Sequence, residues 1–435
     1  MSNLQYKPKS ERPDLSKVCV YGGKQDDEFV GIRYENGLLR VFFPFGYSKP
    51  TNNDNEYRRD ILNLISVLSR YSKESKDIDG NRRLNNEEVQ FPIHAYIHVF
   101  NYFLNHGYYV ERESSFKRAS NGKINWAKTI KQIRPQISEG TPNKSMVYLD
   151  FITKKNNSNE NEIISQIHKH CVYESYEKIG CLFGYFRPEK PQIPFNAKLF
   201  AAILKAKIAK TFNEKHILLF RNMLDIICYM DSKTDNHNAS YGTYNFEYVW
   251  EGLIDDVFGV NKEEKRKYFP NCTWKIKDDE TDADELDKKK TSLRPDTIML
   301  SSSDKIFVLD AKYYQYGDDK RNVQKLPGTG SIIKQIAYAE FIESMRNTND
   351  SISKGNIYNA FILPYAASKD KDGYAFECFG RATCDWKDTS VPYNNIYGIL
   401  LDVRAIMQKH PPSSNEEIQN LAKIIEQMAS IDSTN

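Results

Sequence analysis

Residues 294–314 read RPDTIMLSSSDKIFVLDAKYY, and this stretch is the most informative part of the sequence about the fold and the chemistry. Two apolar runs flank a polar turn at residues 301–304, which is the pattern of a β-hairpin. An even or an odd number of loop residues sets Asp296 opposite position 309 or position 310, respectively. A three-residue loop places Asp296 directly against Asp310. Because strand side chains alternate, Lys312 lies on the same face as Asp310.

Two carboxylates and one ammonium group at the end of an apolar strand predict metal-assisted hydrolysis of a phosphodiester. Carboxylate oxygens are hard ligands of the kind that Mg²⁺ prefers, and Mg²⁺ also binds phosphate oxygens. A bound Mg²⁺ polarises the phosphoryl group and helps to generate hydroxide. The lysine would orient or deprotonate the attacking water and offset developing negative charge. The alternative is a structural Asp310–Lys312 pair, but an unpaired charge in so apolar a strand costs several kcal/mol, which favours a functional site.

Helical apolar spacing precedes and follows the hairpin. In residues 245–259 it predicts a helix on which Glu247 and Glu251, four residues apart, share one face. In residues 330–346 it predicts a helix with Ser331 as its N-cap. Strands are predicted at residues 272–277, 357–364, 374–379 and 396–402. This order predicts an α/β domain with a mixed sheet flanked by helices.

The same residues resemble a known superfamily of nucleases. A helix with glutamate, a Pro-Asp step, Asp-x-Lys and a helix bearing Gln-Ile-Ala-Tyr at 335–338 are similar to the PD-(D/E)xK nucleases, and the Gln-x-x-Tyr step is similar to their RecB-like branch. Asp310 stands where glutamate is usual, a variation that this branch commonly shows. More closely, the chain resembles the LlaJI-type restriction endonucleases, relatives of the McrC nuclease subunit. The supporting segments are FVGIRYENGLLRVFFPFGY (29–47), GKINWAKTIKQIRP (122–135) and FEYVWE (246–251).

The resemblance, which spans most of the chain, implies roles for particular residues. Asp296 and Asp310 would bind Mg²⁺, and Lys312 would be the catalytic lysine. Either Glu247 or Glu251 would add a ligand from the helix, often through water. Glu251 ends a Val-Trp-Glu step of the LlaJI-type group, whereas Glu247 ends the Phe-Glu step of the wider superfamily, so both stay candidates.

Contacts to double-stranded DNA are expected from two places. Gln335 and Tyr338 would touch DNA or orient the strand that carries the lysine, with ordinary helix surface as the alternative. The net charge of the whole chain is only +3, so phosphate binding needs a local basic patch. One candidate lies in residues 115–134, where contacts would be salt-sensitive, and its alternative is a solvated basic surface. The side chains assigned to it are Lys117, Arg118 and Lys128.

With 435 residues, the chain should form two or three domains. An N-terminal α+β domain is expected at residues 1–186, for contact with a partner or with DNA. A proline-rich segment then opens a helical connector at residues 187–240. The nuclease domain, a PD-(D/E)xK restriction-endonuclease-like fold, is expected at residues 241–435.

Several classes of protein are disfavoured. Seven scattered cysteines without a Cys-x-x-Cys pair suit a reducing cytoplasm. The His168-x-His170-Cys171 cluster has no second ligand group at zinc spacing, so a helical core is the favoured interpretation. No apolar run approaches the roughly 20 residues of a membrane helix, and the N-terminus is polar without a signal core. A cytoplasmic protein without membrane contact is therefore expected.

The chain also lacks a phosphate-binding loop of the GxxxxGK[ST] type, so it is not expected to hydrolyse nucleotides by that mechanism. The resemblance to McrC implies a separate AAA+ NTPase partner, similar to McrB, that recognises the DNA site and drives translocation.

The leading prediction is a Mg²⁺-dependent restriction endonuclease, the cutting subunit of a system that defends against foreign DNA. One alternative is a non-cutting subunit that stimulates an AAA+ NTPase, and another is a RecB-like repair exonuclease that works without a motor. The complete set of Asp296, Asp310 and Lys312 favours cutting. The N-terminal segments that resemble LlaJI-type proteins favour the restriction enzyme over the exonuclease.

Overall fold

The fold is taken from a computed structural model of the chain. It describes residues 5–6, 14–22, 29–35, 38–51, 53–78, 91–119, 123–138, 145–159, 162–184, 186–232, 239–276, 286–301, 304–318, 320, 322–346, 355–367, 375–409 and 415–432.

The α-helices of these ranges are α1 (Leu15–Val18), α2 (Asp54–Ile78), α3 (Ile93–His106), α4 (Trp126–Gln132), α5 (Ile163–Ile179), α6 (Ala197–Lys210), α7 (Glu214–Asp231), α8 (Phe246–Phe258), α9 (Lys262–Lys265), α10 (Thr329–Met345), α11 (Val403–Gln408) and α12 (Asn415–Asp432).

The strands are β1 (Gln5–Tyr6), β2 (Cys19–Val20), β3 (Val30–Glu35), β4 (Leu38–Phe42), β5 (Glu111–Ala119), β6 (Lys123–Ile124), β7 (Gln136–Ser138), β8 (Ser145–Val147), β9 (Phe151–Asn159), β10 (Phe186–Arg187), β11 (Ala239–Thr243), β12 (Asn271–Ile276), β13 (Leu286–Ser292), β14 (Thr297–Leu300), β15 (Ile306–Ala311), β16 (Ile357–Tyr365), β17 (Phe376–Ala382) and β18 (Ile396–Asp402).

The C-terminal part of the chain forms a five-stranded mixed sheet in the order β14-β15-β16-β18-β17. Strands β15, β16 and β18 run parallel, while β14 and β17 pair antiparallel at the two edges. Every residue of β15 and β16 is buried, as expected for central strands whose sequences are almost continuously apolar. The predicted α/β order with a mixed sheet is confirmed. The largest displacement is that of β17, which begins two residues and ends three residues later than predicted.

The predicted hairpin is formed by β14 and β15, with Thr297 paired to Leu309. The backbone N–H of Ser301 donates to the carbonyl of Lys305 at 3.1 Å, which leaves three residues in the loop. Asp304 closes this loop with a φ of 57°, the left-handed conformation that aspartate tolerates. The odd loop length is therefore the correct alternative. Extending the register by one pair sets position 296 opposite position 310.

Helix α10 packs against the hairpin. Its residues Tyr338 and Ile342 share one buried core cluster with Ile306 and Val308 of β15. Side chains at alternate positions of a strand share a face, so position 310 also faces this helix. The prediction of Ser331 as N-cap is wrong. The helix begins at Thr329 after Gly328, and the backbone N–H of Ser331 already bonds the carbonyl of that glycine within the first turn.

A second sheet, in the order β11-β3-β4-β2, joins the N-terminal segment to the chain that follows residue 238. β3 and β11 pair antiparallel along five residue pairs. The backbone N–H of Phe45 donates to the hydroxyl of Tyr313 at 2.6 Å, next to the predicted catalytic lysine. Arg404 Nε donates to Asp60 Oδ2 at 3.0 Å, so α11 is tied to α2.

The other compact part of the molecule combines helices α3, α5, α6 and α7 with the three-stranded antiparallel sheet β5-β9-β6. Helices α5 and α7 meet where the Cys171 thiol donates to the carbonyl of Met223. The rings of Tyr109 and Phe220 pack edge to face with centroids 5.2 Å apart. These contacts bury the apolar faces that their helical spacing predicts.

The chain thus divides into two compact units that differ from the predicted linear domains. One unit comprises Met1–Pro13 and Gln90–His237, and the other comprises Asp14–Val89 and Asn238–Asn435. Residues 14–89, predicted as part of an N-terminal domain, belong to the second unit because β3 pairs with β11. The predicted connector at 187–240 lies almost wholly in the first unit because α6 and α7 pack there. Within the described ranges, no helix combines the length and apolar character needed to cross a bilayer.

Candidate active site

The hairpin brings the two predicted metal-binding carboxylates to neighbouring strands. Asp310 is the last but one residue of β15 and is 3% exposed. Asp296 directly precedes β14, in the register that faces Asp310. Its carboxylate reaches across to β15, where the backbone N–H of Ala311 donates to Oδ2 at 3.1 Å. The geometry therefore joins Asp296 and Asp310 as the sequence predicts.

Lys312 points toward the same carboxylates. Its Nζ atom lies 2.5 Å from Asp310 Oδ2, and its backbone N–H donates to the carbonyl of Ile362 at 2.9 Å. That backbone bond continues the pairing with β16 past the end of β15 and keeps the chain extended. Burial alone would lower the pKa of Lys312, but the charges of Asp310 and Asp296 outweigh it, and the pKa is raised. The lysine is therefore held in its charged form.

Negative charge is concentrated at this site. Burial, followed by the charges of Asp310 and Glu251, raises the pKa of Asp296 to about 8, although Lys312 and Lys334 oppose the shift. Burial and the neighbouring negative charges therefore make the Asp296 carboxyl harder to ionise than an exposed aspartate. Such a cluster favours any cation that can reach it.

Helix α8 contributes Glu251 to the carboxylate cluster. Burial raises the pKa of this half-buried glutamate, while the charge of Lys312 lowers it and the charges of Asp310 and Glu247 raise it. Glu247 lies one turn earlier, and its charge acts on Glu251 and on Tyr313. Of the two predicted helix carboxylates, Glu251 is the one whose charge interacts with Asp296, Asp310 and Lys312.

Gln335 and Tyr338 are both buried, so neither is ordinary helix surface. Gln335 is 1% exposed, and its side-chain amide donates to the carbonyl of Val308 at 2.6 Å. The hydroxyl of Tyr338 donates to the carbonyl of Arg294 at 2.9 Å, two residues before Asp296. Gln335 therefore bonds the strand that carries Lys312, whereas Tyr338 bonds the segment that leads to Asp296. The predicted contact of both side chains with DNA stays a prediction.

Two lysines near the carboxylates have no counterpart in the sequence prediction. The ammonium group of Lys334 lies 5.5 Å from the centroid of the Tyr338 ring, and its charge acts on Asp296 and Asp310. Lys265 of α9 contacts the backbone carbonyl of Asp296. Lys334 lies one helical turn before Tyr338, so helical spacing could have predicted that these two side chains are close to each other. No local pattern marks Lys265.

The predicted phosphate-binding residues lie together in the first compact unit. Lys117 and Arg118 are exposed on β5, and Lys128 lies on α4, whose preceding residue Asn125 bonds β9 through its backbone. Arg118 donates from both Nε and Nη2 to the same oxygen of Asp150, Oδ2, at 2.9 and 2.6 Å. Trp126 is 53% exposed beside them. The patch therefore offers basic and aromatic surface, with one of its cations already paired.

The histidine and cysteine cluster of α5 belongs to the protein core, as expected. His168 is fully buried, and its Nδ1 atom accepts a hydrogen bond from the backbone N–H of Tyr109 at 2.9 Å. Burial lowers its pKa to about 3. The His170 ring bonds the carbonyl of Ile193 at 2.7 Å, and Cys171 faces Met223. These separate partners leave no common centre for zinc.

Among the described residues, no three histidine, cysteine, aspartate or glutamate side chains are arranged as a complete metal site. Mg²⁺ does not require one, because it commonly binds through one or two carboxylates, waters and substrate phosphates. Asp296 and Asp310 fit this mode, since both are hard oxygen donors in a buried, mutually repelling pair. Asp310 Oδ2 touches Lys312 but receives no well-directed hydrogen bond within the described part of the chain.

Comparison with known proteins gives three similarities. A family model described as LlaJI restriction endonuclease matches residues 29–397. The Type II restriction enzyme BsuMI component YdjA of Bacillus subtilis (strain 168) is 27% identical over 412 residues, which cover 89% of this chain and 84% of that protein. A chain in the refined half-complex from the tetradecameric assembly of Thermococcus gammatolerans McrB AAA+ hexamers with bound McrC is 12% identical, with a TM-score of 0.34, over 91% of this chain and 83% of that chain. A TM-score this low does not establish a shared fold.

Proposed function

Because this chain belongs to the LlaJI restriction endonuclease family, we propose that it is the cleavage subunit of a restriction system. In this proposal it is a Mg²⁺-dependent endonuclease that hydrolyses phosphodiester bonds of double-stranded DNA. The observation that supports it is the hairpin, where Asp296 faces Asp310 and Lys312 lies 2.5 Å from the latter carboxylate. The mixed sheet around the hairpin would be a PD-(D/E)xK restriction-endonuclease-like domain.

The proposed roles follow from the placement of each side chain. Asp296 and Asp310 would hold Mg²⁺, and Glu251 would complete its surroundings, directly or through water. When bound, Mg²⁺ supplies Lewis-acid polarisation of a phosphoryl oxygen. Lys312 orients the attacking water and offsets the charge that develops on the phosphate. Its raised pKa keeps it protonated, which suits charge stabilisation better than proton abstraction.

We further propose that cutting depends on a second protein. The relative YdjA is named as one component of a type II restriction enzyme, which supports a system of several chains. The sequence resemblance to McrC supports an AAA+ NTPase similar to McrB as the partner. Lys117, Arg118 and Lys128 would contribute salt-sensitive contacts to DNA phosphates. Together these proposals describe a type II-like, McrBC-like, site-specific deoxyribonuclease that acts against foreign DNA in the cytoplasm.

The test incubates the purified chain with supercoiled plasmid and Mg²⁺, with and without an AAA+ NTPase similar to McrB and its nucleotide. The proposal expects linear or nicked DNA in at least one of these reactions. Lys312→Met should remove the product, whereas Lys305→Met serves as a matched control. Lys305 lies in the same hairpin and pairs with Glu426 at 2.8 Å, away from the carboxylates. Cleavage that survives Lys312→Met would overturn the assignment of the site.

A further inference from the structure

Lys265 contacts the side chain of Asp255 and the backbone of Asp296. Its Nζ atom lies 2.7 Å from Asp255 Oδ1 and also donates to the backbone carbonyl of Asp296. The lysine side chain is only 12% exposed, and that of Asp255 is 26% exposed. An ammonium group so deeply placed must be paired, because removing an unpaired charge from water is costly.

The backbone carbonyl of Asp296 needs such a donor. The antiparallel ladder of the hairpin begins one residue later, with Thr297 paired to Leu309. Asp296 is therefore outside the regular pairing of the sheet. Its carboxylate is held by the backbone N–H of Ala311, and its carbonyl is held by Lys265. These two bonds together hold both the side chain and the backbone of Asp296 in place.

Helix α8 links this contact to the carboxylate cluster. Glu251 and Asp255 are four residues apart on α8, so they lie on one face of the helix. Glu251 interacts with Asp310 and Lys312, while Asp255 binds Lys265 one turn further along. The same helix face therefore presents one carboxylate to the site and another to the lysine that holds Asp296.

We propose that Lys265, held by Asp255, is a positioning residue that keeps the carboxylate of Asp296 in place to bind a divalent cation. This inference rests on the proposed function, because it assigns Asp296 to the metal. Groups that orient a metal ligand typically change metal affinity or activity by about 10–100-fold when they are removed. A pair that only stabilises the fold would change unfolding without such an effect on the metal.

The chain provides a matched control at the opposite end of the same hairpin. Lys305 and Glu426 form an ion pair of 2.8 Å with side chains 28% and 27% exposed. Lys305→Met thus removes a similar half-buried pair without touching Asp296. Lys265→Met removes the contact to the Asp296 carbonyl, and Lys265→Arg retains the charge in a different shape.

The experiment measures Mg²⁺ binding to the full chain by titration calorimetry without DNA, and thermal unfolding in parallel. We expect Lys265→Met to weaken binding about 10–100-fold, Lys305→Met to bind as the wild type does, and Lys265→Arg to recover part of the loss. If Lys265→Met does not fold, Asp255→Asn tests the same proposal, because it removes the carboxylate charge that holds Lys265 against the carbonyl of Asp296.

Each outcome bears on the inference separately from the proposed function. If both Lys265→Met and Asp255→Asn bind Mg²⁺ like the wild type, the positioning role is wrong and the proposed function stands. An equal loss in Lys305→Met would also overturn it, since a general loosening of the hairpin would then be the cause. If the wild-type chain itself binds no Mg²⁺ and cuts no DNA, the proposed function fails, and this inference fails with it.

Discussion

Binding of Mg²⁺ to this protein should strengthen as the pH rises from 7 to 9. The reason is that Asp296 must lose a proton before its carboxylate can bind a cation. Burial and the neighbouring charges of Asp310 and Glu251 raise the pKa of Asp296 to about 8. Lys312 and Lys334 reduce this shift but do not cancel it.

The size of the effect follows from the fraction of molecules that hold the proton. With the pKa of Asp296 at about 8, roughly 0.9 of the metal-free molecules are protonated at pH 7 and roughly 0.1 at pH 9. The apparent affinity for Mg²⁺ should therefore rise about tenfold over this range, or about 1.4 kcal/mol. Binding at pH 7 should release roughly 0.9 proton per site.

Titration calorimetry measures both quantities. Repeating the titration at pH 7 in buffers with different ionisation enthalpies gives the number of protons released from the slope of the observed heat. In Asp296→Asn the remaining affinity should no longer vary with pH between 7 and 9. A wild-type protein that binds Mg²⁺ at pH 7 while releasing less than about 0.2 proton would refute the reasoning.

Other perturbations have equally definite outcomes. Lys312→Met should lower plasmid cutting by about 100-fold or more without unfolding the protein, because it removes the cation beside Asp310; a gel assay showing the wild-type rate would contradict this. Glu251→Gln should cripple cutting while Glu247→Gln cuts nearly normally, and an equal loss in both would place neither in the site. Asp296→Asn should stabilise the metal-free protein above about pH 7. Between about pH 4 and pH 8 the folded protein holds a proton that the unfolded chain has lost, so wild-type stability falls as pH rises through that window; a pH series of thermal unfolding curves that is identical for both proteins would disprove it. Ca²⁺ in place of Mg²⁺ should allow DNA to bind without hydrolysis, since Ca²⁺ is larger and less strict in geometry, and turnover comparable to that in Mg²⁺ would count against the mechanism.

The local spacing of apolar residues was sufficient to predict the hairpin and the helices on either side of it. Period-two spacing predicted both strands and the shared face of Asp310 and Lys312, and helical spacing predicted α8 within one residue at each end. The exact start of α10 was missed, because Ser331 resembles a cap but the helix begins two residues before it. A capping side chain is a local preference that backbone bonds can override.

The long-range assembly could not be predicted in the same way. Residues 14–89 join the C-terminal part because β3 pairs with β11, more than 200 positions away in the chain. The residue spacing within either strand does not specify its partner, because the backbone N–H and C=O groups of a strand can pair with many other strand edges. The domain boundary was predicted at residue 187 because a proline-rich segment begins there. However, α6 and α7 pack with the helices that precede this segment.

The amino-acid sequence by itself placed Asp310 and Lys312 on one face of their strand and set Asp296 opposite position 309 or 310, because side-chain alternation and turn length act over a few residues. The tertiary structure alone decided that Glu251 rather than Glu247 interacts with them, and that Lys265 holds the backbone of Asp296. Both depend on how α8 and α9 pack against the sheet, and packing depends on the combined shapes of residues far apart in the chain.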